Sequence, residues 1–179
     1  MKMKRKGITV YKNIAGNEWN EDTFKSIQYR TTDNFTKCAI AGVSKVLIEV
    51  DASKIDKNYL GVLVATSTGA YHSIQNIYSD YLQLGFRKIN PSLFPNIMMS
   101  TVLSWCTRQS GAHGNSTTLL VSQKQEKEQI YEYLSMQLDS GRCNYMIAVY
   151  LNDQADGYCI WTEREETAIQ RGDHIKIYF

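Results

Sequence analysis

One run of the sequence constrains the fold more than any other. Leu60-Gly61-Val62-Leu63-Val64-Ala65-Thr66 carries no charge and meets no polar side chain before its last residue. A strand with one wet face alternates apolar and polar side chains, so an unbroken apolar run is a strand covered on both faces. Such a strand requires layers above and below it, and the rest of the chain reads as those layers. The β-branched run Ile8–Tyr11, the segment 116–122, the run Asn144–Leu151 and Tyr158–Thr162 read as further strands. The turn signal Asp156-Gly157 makes the last two a hairpin. His174–Phe179 alternates and reads as a closing strand.

Between the strands lie helical periodicities. Thr32 or Asp33 is placed to cap a helix running to about Glu49, with Phe35, Ile40, Val43, Val46 and Leu47 at helical spacing. Residues 70–84 repeat through Tyr71, Ile74, Ile77, Tyr78, Tyr81 and Leu82, with Gly85 as the C-cap. Their tyrosines read as packing residues. Ile97–Arg108 reads as a buried helix, and Gln123–Ser140 carries Ile130, Leu134 and Leu138 on one stripe. Both prolines fall in Asn90–Asn96, which reads as a stiff non-helical loop. Residues 16–34 read as loop with a helical turn over Phe24–Tyr29, and Thr162–Arg171 as loop or a short helix. Strands alternating with helices predict an α/β fold, a layered mixed sheet with flanking helices. One domain over 1–179 is expected, with its core at about 32–153 and a C-terminal hairpin and strand over 156–179.

The same residues exclude several classes. No stretch nears the ~18 apolar residues of a membrane span. The basic start, Met1–Lys6, has no apolar run behind it, so no secretory signal and a cytoplasmic location are expected. Twenty basic against 18 acidic residues leave a net charge of +2, which gives no electrostatic case for nucleic acid. Cys38, Cys106, Cys143 and Cys159 are far apart, and His72, His113 and His174 lack ligand spacing, so neither metal nor cofactor is expected. Cys38 and Cys106 read as packing positions.

From about Thr32 to Asp153 the order of elements and several strings resemble the N-terminal half of the β-ketoacyl synthases. These are thiolase-fold condensing enzymes of fatty-acid and polyketide synthesis. Phe35-Thr36-Lys37-Cys38-Ala39-Ile40-Ala41 is similar to the family's first long helix. Gly61–Gly69 is similar to its glycine-terminated strand, and Asn90–Asn96 to the loop before a buried helix. Gly111-Ala112-His113-Gly114 resembles a Gly-x-x-Gly turn, Thr117–Ser122 the strand leading to the nucleophile, and Gly141–Leu151 the strand after the nucleophile helix. The resemblance covers about two-thirds of the chain and implies one half of a thiolase-like fold.

Departures from that pattern carry the functional expectation. The family's nucleophilic Cys stands nine positions after the second glycine of the turn, which here is Gln123, and 122–128 holds no Cys. A thiolate is needed there to take an acyl group, and an amide cannot supply one. The histidines of the family's second half have no counterpart in this length of chain. The helix that the family buries opens here as Gln123-Lys124-Gln125-Glu126-Lys127-Glu128-Gln129, too polar to bury unpaired. Water or a polar partner should cover it. The resemblance therefore implies a non-catalytic synthase-like protein, as chain-length-factor subunits are, acting as an accessory in fatty-acid or polyketide biosynthesis. It would form a homodimer, or a heterodimer with a full-length ketosynthase, with an acyl carrier protein as a further partner. Thr117, Thr118, Leu119, Leu120 and Val121 are the dimer-interface candidates, because family members pair this strand across a two-fold axis. Two alternatives stand beside it. One is an acyl-thioester-processing enzyme completed by a partner chain, with Ser122, His113 and Cys106 as candidate groups. The other is an acyl or acyl-carrier binding module without chemistry.

Overall fold

A computed structural model of the chain describes residues 6–16, 19 and 31–171. The predicted helical turn over 24–29 and the closing strand over 174–179, with His174, lie outside them.

The apolar run forms the predicted strand. β1 (Lys6–Ile14) is followed by α1 (Asn34–Glu49), β2 (Leu60–Thr66), α2 (Tyr71–Leu84) and α3 (Met99–Ser110). Then come β3 (Thr117–Leu120), α4 (Glu126–Asp139), β4 (Tyr145–Leu151), β5 (Gly157–Arg164) and α5 (Glu165–Arg171). The five strands make one mixed sheet in the order β1-β5-β4-β2-β3. β2 is parallel to both β3 and β4, while β5 runs antiparallel to β4 and to β1. Every residue of β2 is buried.

Side chains alternate between two cores, as the period-2 geometry of strands requires. Leu60, Val62 and Val64 of β2, Ile147, Val149 and Leu151 of β4, and Cys159 and Trp161 of β5 face α1 and α3. Leu63 and Ala65, Met146, Ala148 and Tyr150, and Tyr158 and Ile160 face α4. The α4 stripe lands as predicted: Ile130, Leu134 and Leu138 are buried, each contributing about 1.5–3 kcal/mol. α1 sits close enough that a Cβ on Gly42 would press on the Ile14 side chain and lie 3.2 Å from Cys159 Cβ. The glycine that breaks the helical propensity of α1 is thus the point where helix meets sheet.

Four readings are corrected. Asn90–Asn96 is not a plain loop: Pro91–Ile97 forms 3₁₀ turns, with Pro91 where a helix start tolerates a missing N–H and the Asn90 side chain capping Ser92 N. α3 is a surface helix rather than a buried one, since only Val102, Cys106 and Ser110 are fully buried. The α2 tyrosines are not packing residues; Tyr71, Tyr78 and Tyr81 are all exposed. β5 forms the predicted hairpin with β4 but is longer than expected, and it lies inside the sheet between β4 and β1; α5 follows it directly.

Candidate functional site

The first region to test is the turn from β3 into α4, where Gln123 stands. Val121 N–H donates to Thr66 O at 2.9 Å, which fixes this turn to the carboxyl end of β2. Ser122 N–H is taken by Gln129 Oε1 at 2.8 Å, and Gln125 N–H by Ser122 O at 2.9 Å. The turn is therefore closed by amide chemistry from its own helix. Ser122, Gln123, Lys124 and Gln125 are exposed, as are Lys127 and Glu128, so the polar helix start is open to solvent on the free chain. Beneath it, burial and then the Glu126 carboxylate push the Tyr158 phenol far above its usual range.

The other named groups do not join this turn. His113 is exposed and its backbone N–H donates to Lys57 O at 2.9 Å, at the start of β2. Next to it Gly114 lies so close to β2 that an added Cβ would be 2.7 Å from Leu60 O. Six residues of extended strand, roughly 20 Å, separate that end from Thr66 and the Ser122 end. Cys106 is fully buried in α3, and burial pushes its thiol to about 12. It is a neutral core group facing α1. Ser122, His113 and Cys106 thus occupy three separate places.

The structure adds a site that the sequence reading passed over. A cavity of about 240 Å³ opens beyond the carboxyl ends of β2 and β4, beside the first turn of α1. Crevices at the carboxyl ends of parallel strands are where α/β sheets receive ligands. Its lining combines the apolar Phe35, Met99, Val102 and Ala155 with the polar Asp33, Thr68, His72, Ser73, Asn76, Asn96 and Asp153. Asp33 is held twice: Oδ1 accepts Thr36 N–H at 2.8 Å as the predicted helix cap, and Oδ2 accepts the Ser73 hydroxyl at 2.5 Å. Ser73 and Asn96 are buried. The rim is stiff as well. Asn152 Oδ1 accepts the N–H groups of Gln154 and Asp156 at 2.9 and 3.0 Å. That turn holds Ala155 at φ 60°, a left-handed conformation that costs an L-residue roughly 1–2 kcal/mol.

No protein-family model matches the sequence, and no curated protein matches it. Solved structures do. A type II polyketide synthase ketosynthase with its acyl-carrier protein, AntDE:AntF bound to the hexaketide, superposes with a TM-score of 0.79 at 15% identity, over 96% of this chain and 66% of that one. The ishigamide ketosynthase/chain length factor gives 0.74 at 11%, over 91% and 63%. A β-ketoacyl synthase from Burkholderia phymatum STM815 gives 0.68 at 13%, over 97% and 62%. The chain has the thiolase-like fold of the ketosynthases. It spans less than two thirds of the length of each of these three chains.

Two apolar surfaces stand out on this ketosynthase-fold chain. β3 is the last strand of the sheet, and among the described residues nothing pairs with its outer side. Thr117, Thr118 and Leu119 are half-buried, Val121 is buried, and Leu120 is 71% exposed. The second surface is a groove between α2 and the turns after it, lined by Ile74, Ile77, Tyr78, Tyr81, Phe86 and Phe94 among others. Tyr78 is 60% and Phe86 76% exposed.

Proposed function

We propose that the chain is a non-catalytic, ketosynthase-like accessory subunit in polyketide or fatty-acid assembly. It pairs with a second copy of itself or with a full-length ketosynthase, and an acyl carrier protein visits the resulting complex. The observation that carries this reading is the exposed β3 edge leading straight into an exposed Gln123. An unpaired strand with a large apolar side chain facing water invites another strand, while Gln123, nine positions after the second glycine of the turn, where the resemblance implies a nucleophile, cannot form an acyl-enzyme. The apolar α2 surface supports the same reading, because exposed contiguous apolar area marks interaction sites. Placing Ser122, His113 and Cys106 in three separate regions gives the catalytic alternative no assembled site within the described residues.

The test is acyl loading. The purified chain is incubated with an acylated carrier protein or an acyl-coenzyme A and weighed intact by mass spectrometry. No mass gain is expected, alone or beside a ketosynthase that itself becomes acylated. A covalent acyl adduct on this chain would overturn the reading.

A further inference from the structure

We draw no further inference here: the strongest candidate, the apolar groove between α2 and the turns after it, in which Tyr78 and Phe86 stand exposed, carries nothing because nothing in the structure shows what covers it.

Discussion

Asp33 carries more of this structure than its size suggests. One carboxylate oxygen caps α1 and the other ties in the Ser73 hydroxyl of α2, so a single side chain joins two helices that lie far apart in sequence. Asp33→Ala removes the cap, worth about 1 kcal/mol, and leaves a buried hydroxyl without its acceptor, worth about 1–3 kcal/mol more. Urea unfolding should show the sum, while Asp33→Asn, whose one carbonyl oxygen keeps the cap and whose amide N–H can donate to the Ser73 hydroxyl oxygen instead, should lose less. Equal losses in the two variants would contradict this account. The sequence showed Asp33 as a cap because the Asp-x-x pattern before an amphipathic run is local. It did not show the Ser73 bond or the cavity wall, which arise when residues forty positions apart meet. The same reason hid Asn96, which reads as an ordinary polar residue in a proline segment until its amide is seen bonded to Thr31 O.

At the scale of elements, each helix and strand in the described part that the periodicity predicted is present, and its buried stripe is legible wherever one face meets the sheet. α4 is the clearest case, with Ile130, Leu134 and Leu138 under it and its polar start outside. α2 is the instructive failure. Its Ile74, Tyr78 and Tyr81 have perfect helical spacing, yet the side they share faces water in the single chain. Periodicity reports that a helix has an apolar face and says nothing of whether this chain or another covers it. β3 is similar: Thr117 to Val121 reads as a strand from composition alone, but only the sheet order places it at the edge. If that edge is where a partner pairs, Leu120→Lys should convert a dimer, alone or with a co-expressed ketosynthase, into a monomer by light scattering. Its unfolding free energy should stay within about 0.5 kcal/mol, as for other exposed positions. A wild-type chain that is monomeric under both conditions would remove β3 from the interface.

The whole molecule keeps its thiols deep. All four cysteines are buried and unbridged, and burial pushes Cys38 to about 11 and Cys106 to about 12 from an ordinary 9.0. The unfolded chain gives up these protons from about pH 9 while the folded one keeps them. Stability is therefore intact below pH 9 and falls as pH rises through the interval up to the folded values. The slope is about 1.4 kcal/mol per pH unit for each such thiol. Between pH 8 and pH 10 the urea midpoint should drop, and Cys106→Ala should flatten that drop by about 1.4 kcal/mol. An identical fall in both proteins would mean that the thiols are not its source. A last consequence follows from the position of β5 between β4 and β1. Among the described residues, the earliest strand finds its only partner in residues 157–164, and Gly16 N–H is bonded to Asp156, 140 positions later. A ribosome making this chain releases β1 long before its mate exists. β1 must wait, open along both sides, through most of translation. The sheet cannot close until nearly the whole described chain has emerged, so folding is dominated by distant pairings and is correspondingly slow.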